Sequence, residues 1–388
     1  MRFKRYTTEW TKINLSNYLF VSSKRNKDGR FSKEDVLSVS GELGIVNQIA
    51  LLGRSYAGES VLPYHIVEKG DIVYTKSPLA LYPYGIIKTN RNKVGIVSTL
   101  YAVYKTKDNA NNRFIEHYFS LKSRINNYLN PIVRIGAKHD MKIGNNEVLE
   151  NIVAFPDISE QCEIADFLDL LDNRISVQNK IISKYETLIK GLYTQLQNKS
   201  AKKEYRICDI VKCHSVGLLS KENLTESGSK KCILYGELFT TYDEVINEIK
   251  SRTNVDGYIS QGNEILFPSS TTVDAMSLIA PSALNEKGVL LGGDMFVLEL
   301  LPGFNNEYIS YYLNTIAKRN LAKYAQGTTI THLYFEHIKN VLLYLPDITI
   351  QLSVASKMRK LKTKIQIEKE MLSALQKQKA FLLQSMFI

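Results

Sequence analysis

Residues 155–161 read Phe-Pro-Asp-Ile-Ser-Glu-Gln, and residues 345–351 read Leu-Pro-Asp-Ile-Thr-Ile-Gln, 190 positions later. Each stretch opens a long segment in which apolar residues recur at alternating steps of four and three. The two series occupy positions 164, 168, 171, 175, 178, 182, 185, 189, 192 and 196, and positions 354, 358, 361, 365, 368, 372, 375, 379, 382 and 386. Nine of the first ten residues and eight of the second ten are apolar or aromatic, the exceptions being Gln178, Glu368 and Lys379. This spacing is typical of a coiled-coil seam and predicts two long helices.

The two helices are expected to pack against each other, because each heptad seam needs a partner and the chain carries two of them. We place the helices at residues 159–197 and from residue 349 to the end. Pro156 fits just before the first helix because it has no N–H to donate, and both Ser159 and Asp157 qualify as the N-cap. The residues assigned to the helix-pair seam are Ile164, Leu168, Leu171, Ile175, Ile182, Leu192, Val354, Met358, Leu361, Ile365, Leu372 and Leu382.

The repeat extends upstream of both helices. Residues 114–119, Phe-Ile-Glu-His-Tyr-Phe, pair with residues 308–313, Tyr-Ile-Ser-Tyr-Tyr-Leu, and residues 70–74 resemble residues 262–267. Gly136 corresponds in the same way to Gly327. Because the matches keep the same order in both halves, the chain is interpreted as globule, helix, globule, helix, with two divergent copies of one globule.

The predicted fold is α+β, with two homologous mixed α/β globules separated by two long helices packed as an antiparallel coiled coil, pseudo-twofold symmetric. The predicted boundaries are 1–156 for the first globule, 157–202 for the first helix, 203–346 for the second globule and 347–388 for the second helix. Short apolar strings bounded by turn residues predict strands at 44–52, 65–67, 71–74, 85–88, 95–105, 231–235, 264–267 and 295–300. Shorter helices are predicted at 113–129 and 306–324.

Composition indicates a nucleic-acid partner. The 388-residue chain has a formal net charge of +11, a surplus that favours nucleic acid first and anionic membranes second. No apolar run approaches the 18 residues of a membrane span, and the N-terminal residues lack the apolar region of a secretory signal. The four cysteines are too few for a disulfide scaffold, so a cytoplasmic location is expected.

The sequence contains no recognisable catalytic motif. Residues 130–133, Asn-Pro-Ile-Val, and residues 82–84, Tyr-Pro-Tyr, do not match the Asn/Asp-Pro-Pro-aromatic string that holds the target amine in amino-methyltransferases. Residues 53–60 have the spacing of a phosphate loop, but Glu59 stands where lysine is required. Residues 248–250, Glu-Ile-Lys, lack a convincing partner acid for a nuclease site. The chain is therefore predicted not to be an enzyme.

One group of residues with metal-ligand chemistry was considered, namely Cys208, Cys213, His214 and Cys232. Its spacing is irregular and contains no CxxC pair, so buried core thiols are the favoured interpretation and no metal site is predicted. His332 and His337 are five positions apart, which does not place them on one helix face.

The duplicated pattern resembles the specificity subunit of Type I restriction-modification systems. The resemblance rests on Pro-x-Ile-x-x-Gln at 156–161 and 346–351, each followed by a heptad helix with a Lys-x-(Leu/Phe) string near its end, at 190–196 and 379–386. Gly327-Thr328-Thr329-Ile330 followed by Leu333 resembles the Gly-Thr-x-(Ile/Val) string of that family's target-recognition domains. The first globule departs from this pattern, with Gly-Ala-Lys-His at 136–139.

The resemblance implies a non-catalytic subunit that binds double-stranded DNA. It implies that each recognition domain reads one half of a bipartite target and that the helices set the spacing between the halves. It also implies that two methyltransferase subunits dock on the helices and that restriction and motor subunits complete the assembly. S-adenosylmethionine, ATP and Mg would then be bound by those partner subunits, and no cofactor by this chain.

Candidate DNA contacts are Lys, Arg, Tyr, Ser and Thr side chains in segments expected to be irregular, because phosphates are bound by basic groups and base edges by polar groups. In the first globule they are Lys24, Arg25, Lys27, Arg30, Lys76, Tyr82, Tyr84, Lys88, Arg91 and Lys93. In the second globule they are Lys230, Lys231, Ser269, Ser270, Thr271, Thr272, Thr328 and Thr329. The segments after Phe267 and around Gly327 are the strongest candidates.

Apolar residues off the seam are candidates for docking the methyltransferase subunits, although a wide apolar stripe packing on the globules explains them equally well. They are Phe167, Ile181, Leu188, Ile367 and Phe381. The main alternative for the whole chain is a non-catalytic coiled-coil adaptor with two ligand-binding heads. Weak dependence of affinity on salt and no preference for DNA would favour that alternative.

Overall fold

The computed structural model describes residues 3–79, 81–135, 141–199 and 202–387. The chain divides into two compact units, one formed by Met1–Ile181 with Glu368–Ile388 and the other by Ile182–Ile367. Each unit therefore contains one globule together with a part of each long helix. The Gly-Ala-Lys-His string at 136–139 lies outside the described residues.

The first unit is built from short strands and three short helices that precede a long one. The strands are β1 Thr11–Asn14, β2 Leu19–Val21, β3 Leu37–Ser40, β4 Gly44–Asn47, β5 His65–Val67, β6 Ile72–Tyr74, β7 Ile87–Thr89, β8 Gly95–Val97, β9 Ala102–Thr106, β10 Arg134–Ile135, β11 Met141–Lys142 and β12 Ile152–Phe155. The helices are α1 Gln48–Leu52, α2 Asn112–Tyr118, α3 Lys122–Leu129 and α4 Ile158–Lys199, the last of which continues into the second unit.

The main sheet of the first unit has the antiparallel order β2-β9-β6-β7, in which Ile72 lies opposite Tyr104. Strand β1 pairs with β12 and ties the start of the globule to the segment that leads into α4. The core beneath the sheet is aromatic, with Tyr104, Phe114 and Phe155 all buried. Burial of these large rings supplies the main stabilisation of the unit.

The second unit has the same plan. Its strands are β13 Lys203–Arg206, β14 Val211–Ser215, β15 Lys230–Leu234, β16 Arg252–Thr253, β17 Tyr258–Ile259, β18 Glu264–Pro268, β19 Ser270–Thr271, β20 Ser282–Leu284, β21 Leu290–Gly292, β22 Met295–Leu300, β23 Thr331–His332 and β24 Leu342–Leu345. Its helices are α5 Ile207–Ile210, α6 Glu237–Thr240, α7 Ala275–Leu278, α8 Asn306–Thr315, α9 Lys318–Ala322, α10 Phe335–Ile338 and α11 Ile348–Ser385. The sheet β14-β22-β18-β20 corresponds to the main sheet of the first unit, and β13 pairs with β24 as β1 pairs with β12.

The two copies agree in atomic detail where each long helix begins. The Gln161 side chain donates to Pro156 O at 2.9 Å and accepts from Asn111 N at 2.9 Å. In the second unit the Gln351 side chain donates to Pro346 O at 2.8 Å and accepts from Asn305 N at 3.0 Å. The mixed α/β class, the duplication and the two long helices predicted from the sequence are confirmed.

Several predicted elements differ in extent because local side-chain bonds interrupt them. The strand predicted at 44–52 ends at Asn47, whose side chain accepts from the backbone N–H groups of Ile49 and Ala50 and so caps helix α1. The strand predicted at 95–105 is two strands, separated by a turn in which Tyr101 N donates to Ser98 O at 3.0 Å. A capping side chain takes backbone donors that a continuing strand would need elsewhere.

The two shorter predicted helices are each split in two. The helix predicted at 113–129 is α2 and α3. The break follows Tyr118, and there the Ser120 hydroxyl donates to His117 O at 2.7 Å. The helix predicted at 306–324 is likewise α8 and α9. At the start of α4 the N-cap is Asp157, whose side chain accepts from Glu160 N at 3.0 Å, and not Ser159.

The long helices run antiparallel within each unit. In the first unit Asp172 of α4 pairs with Lys379 of α11, and Gln178 contacts Glu368. In the second unit the Lys364 ammonium lies over the Tyr185 ring, 5.9 Å from its centre. The twelve seam side chains named above are all buried or half-buried. Neither long helix, nor any other helix in the described ranges, has the length and apolarity that crossing a membrane requires.

Gln178 and Glu368, two of the polar interruptions of the seam, bind each other. The Gln178 amide is buried and donates to the Glu368 carboxylate and to Glu368 O, the latter at 3.1 Å. We expect Gln178→Leu to lower the free energy of unfolding by about 1–3 kcal/mol, because the carboxylate loses its donor. The double variant Gln178→Leu/Glu368→Leu should recover this loss, since an apolar pair replaces both partners. Urea unfolding of the three proteins measures the coupling, and a double variant as unstable as the single one would refute it.

Candidate nucleic-acid interface

The two segments favoured in the second globule lie side by side. Strand β19 pairs with β23, with Ser270 opposite His332 and Thr271 opposite Thr331. Gln326 and His332 exchange both backbone hydrogen bonds, at 2.9 and 2.7 Å, and so close a loop over residues 327–331. Thr328 and Thr329 are exposed at the tip of this loop, whereas Ser269 and Ser270 are buried beneath it. The structure therefore brings Thr271, Thr272 and the Thr328–Thr329 tip into one polar surface, called here the threonine surface, while Ser269 and Ser270, predicted as DNA contacts, are buried.

Gly327 gives the threonine surface its shape. Its φ is +109°, a backbone conformation that side chains other than glycine rarely adopt. A Cβ at this position would lie 2.1 Å from Ile330 O, so the loop closes only around glycine.

An aromatic group beside this surface was not predicted from the sequence. The Tyr334 ring stacks on His332 with centres 5.9 Å apart and meets the edge of His337 at 5.5 Å. Tyr334 remains 46% exposed, so part of the residue is accessible to a ligand. The sequence signal that could have indicated Tyr334 is its position shortly after the Gly327 string. The spacing between His332 and His337, considered alone, did not indicate it.

Two of the four basic candidates at residues 24–30 bind other residues of the first globule. Lys24 pairs with Glu68 at 2.7 Å, and Arg25 donates to Pro63 O at 2.8 Å. The Arg30 guanidinium lies 5.5 Å from the centre of the Phe31 ring. Lys27 and Arg30 are exposed, as a phosphate contact requires.

In the segment after β6, the side chains of Lys76 and Tyr84 form hydrogen bonds within the first globule. Lys76 has a positive φ of 43° and donates to Ile143 O at 2.9 Å and to Asn145. The Tyr84 hydroxyl donates to the Asn130 side chain, and Tyr82 packs with Tyr84 against the core, so both rings are half-buried. These three candidates are half-buried, whereas Thr328 and Thr329 of the threonine surface are exposed.

The buried histidine His65 lies close enough to two candidates, Arg25 and Lys76, for their charges to affect its pKa. His65 is 2% exposed, and burial, with Arg25 and Lys76 adding to it, lowers its pKa to about 4. The unfolded pKa is about 6.5, so the folded protein binds the proton more weakly and stability falls as the pH drops from about 6.5 to 4. We expect a loss of up to about 3 kcal/mol across this window. Denaturant unfolding at pH 7 and pH 4.5 measures it, and a His65→Gln variant with the same pH dependence would contradict the assignment.

Four of the five remaining candidates bind acidic neighbours. Lys230 pairs with Asp256, and Lys231 pairs with Glu286 at 2.6 Å. In the first globule Arg91 binds Glu116 at 2.9 Å and Asp169 at 2.6 Å, and Lys88 lies 3.9 Å from Glu116 with most of its side chain buried. Lys93 is exposed.

The comparison with protein families is decisive. Residues 63–187 and 199–377 match the model of the Type I restriction modification DNA specificity domain. This chain belongs to that family. The match covers both halves of the duplicated chain.

Solved structures agree with the family assignment at the level of the fold. The chain is similar to the S subunit of a Type I restriction-modification system from M. genitalium, with 14% identity, a TM-score of 0.63, and coverage of 100% of this chain and 99% of that one. It is also similar to a chain from a structural study of complex assembly and conformational transition of the type I R-M system, with 13% identity, a TM-score of 0.52 and coverage of 97% of both chains. No curated protein matched the chain.

The residues Cys208, Cys213, His214 and Cys232 do not come together as a set of metal ligands. Among the described residues, the one group of three potential metal ligands with atoms within 4.8 Å of one another is His117, Asp169 and Asp172. Both carboxylates already bind cationic side chains, Asp169 from the globule and Asp172 from α11. In the cysteine group, His214 binds Glu299 at 2.8 Å, and burial raises the pKa of the Cys232 thiol to about 11.

Proposed function

We propose that this chain is the sequence-specific DNA-binding subunit of a Type I restriction-modification complex, with each globule reading one half of a bipartite target. The threonine surface is the observation that carries the proposal. It combines exposed threonines at a glycine-shaped loop with the adjacent, partly exposed Tyr334, on a chain of net charge +11. Hydroxyl groups bind base edges and phosphates, and aromatic faces contact bases or sugars.

The chain acts with partner subunits in this proposal. Specificity subunits of the family are in general not catalytic, so methylation and cleavage belong to methyltransferase and restriction subunits that carry S-adenosylmethionine, ATP and Mg. The docking surface for the methyltransferase subunits is proposed on the long helices. Phe167, Leu188, Ile367 and Phe381 are exposed there, whereas Ile181 is half-buried. Exposed apolar groups on a charged helix support a protein interface.

Co-expression with an adenine-methyltransferase subunit from the same genome, followed by mapping of N6-methyladenine, tests the proposal. A split motif methylated on both strands is expected. Exchange of residues 1–156 for those of a related chain should change one half of the motif only. Failure to bind both DNA and the methyltransferase subunit would contradict the proposal and favour the adaptor. A stable complex of the chain with the methyltransferase subunit that methylates no DNA would contradict the proposed role of the chain in directing methylation.

A further inference from the structure

The duplicated frame identifies equivalent positions in the two units. Asn111 and Asn305 cap the equivalent helices α2 and α8, so Arg113 of the first unit corresponds to Glu307 of the second. Gln161 and Gln351 make the same bonds at the starts of α4 and α11, so Asp169 corresponds to Arg359 and Asp172 to Lys362. Charge is therefore inverted at three pairs of positions.

In the first unit the long helix supplies the acids and the globule supplies the cations. Arg113 Nη1 lies 2.7 Å from Asp166 and 3.0 Å from Asp169. Asp169 also accepts from Arg91 Nη1 at 2.6 Å and lies 2.8 Å from Nε2 of the buried His117. Burial alone would raise the pKa of Asp169, but the hydrogen bonds from His117 and Arg91 hold it well below its usual range.

In the second unit the contact has the opposite polarity. Glu307 of the globule is 1% exposed and accepts from Arg359 Nε at 3.2 Å and from Arg359 Nη2. Lys362 of the same helix pairs with Glu244. Asn285 donates to Glu307 at 2.7 Å and satisfies the rest of its carboxylate.

We propose that these residues form a charge code that decides which globule each long helix accepts. The globule-facing stripe of α4 is acidic, with Asp166 and Asp169, and accepts a globule that presents arginine. The corresponding stripe of α11 is basic, with Arg359 and Lys362, and accepts a globule that presents glutamate. The hydrogen bonds at the start of each helix are the same in both units, whereas the charges of the two docking contacts are opposite.

A mismatched globule would place like charges together at contacts whose carboxylates, Asp169 and Glu307, are largely buried. Arg113 opposite Arg359 would leave two guanidinium groups without an acid, and Glu307 opposite Asp169 would leave two carboxylates. An uncompensated charge at such a site is strongly destabilising, because its desolvation is no longer offset by attraction. If the proposed function holds, the code also limits which recognition globules the chain can take up by exchange with related chains.

The test is a reversal cycle in the second unit of the full-length chain. Arg359→Glu should lower the melting temperature of the second unit by roughly 5–10 °C. Glu307→Arg should lower it by a similar amount, since each single change sets like charges face to face. The double variant Glu307→Arg/Arg359→Glu, which carries the polarity of the first unit, should melt within about 3 °C of the natural chain.

Lys360→Glu provides the matched control, because it makes the same change in charge at an exposed neighbouring position and should shift melting by less than about 2 °C. Two results would overturn the proposal: single variants that melt like the control, or a double variant that remains as unstable as the single ones or fails to fold. Melting is measured without DNA, so the outcome is independent of whether the proposed function is correct.

Discussion

Replacement of Phe387 by alanine is expected to lower the free energy of unfolding of the first unit by about 4 kcal/mol. The Phe387 side chain is buried among rings of the first globule, with centres 6.3 Å from Trp10, 5.4 Å from Phe114 and 5.7 Å from Tyr118. The Arg124 guanidinium covers the ring at 5.0 Å and donates to Phe387 O at 3.4 Å. Alanine would leave a cavity among side chains that are fixed by their own neighbours, so relaxation can recover little of the loss.

Phe381→Ala is the matched control, because Phe381 lies in the last turns of α11, six residues before Phe387, and is 59% exposed. Its replacement should cost less than about 1 kcal/mol. Denaturant unfolding followed by tyrosine and tryptophan fluorescence measures both variants, since the single Trp10 reports on the first unit. Equal losses for the two variants would show that the end of α11 does not anchor the globule as described.

The heptad pattern predicted the bounds of α4 and α11 closely. A helix of this length depends on a regular apolar periodicity, and a single short-range hydrogen bond does not interrupt it. The repeated Pro-Asp-Ile string fixed the starts of both helices to within a residue, since proline cannot continue a helical hydrogen-bond ladder backwards. Strands β5 and β22 were also predicted at their observed bounds. In each of these cases local pattern and tertiary packing favour the same conformation.

The element boundaries that were not predicted depend on single side-chain hydrogen bonds. The Asn47 cap that starts α1 and the Ser120 bond that ends α2 are visible only in three dimensions, because asparagine and serine are equally compatible with the longer elements predicted there. The same holds for the candidate interface. Arg91 and Lys88 were predicted as DNA contacts from their charge, yet Arg91 binds Asp169, which lies 78 positions away along the chain. Tyr334 became a candidate only when its stacking on His332 was seen.

Gly327→Ala is expected to weaken binding of the proposed DNA target roughly a hundredfold while the second unit stays folded, because the loss of two base or phosphate contacts costs about 1–3 kcal/mol each. The new Cβ would lie 2.1 Å from Ile330 O, and the φ of +109° adds strain, so the loop must rebuild and move Thr328 and Thr329. The core beneath it is not touched by this change.

Gly236→Ala is the matched control for this substitution, because Gly236 lies in the same unit with a φ of −64° and nothing within 4 Å of an added Cβ. Its affinity for DNA should be unchanged. Binding is measured on a duplex that carries the motif mapped by methylation, at several salt concentrations, because phosphate contacts set the salt dependence and base contacts the preference for sequence. If the loop carries sequence readout, Gly327→Ala loses discrimination in one half of the motif and retains its salt slope. Full discrimination in a folded Gly327→Ala protein would exclude the threonine surface from target recognition.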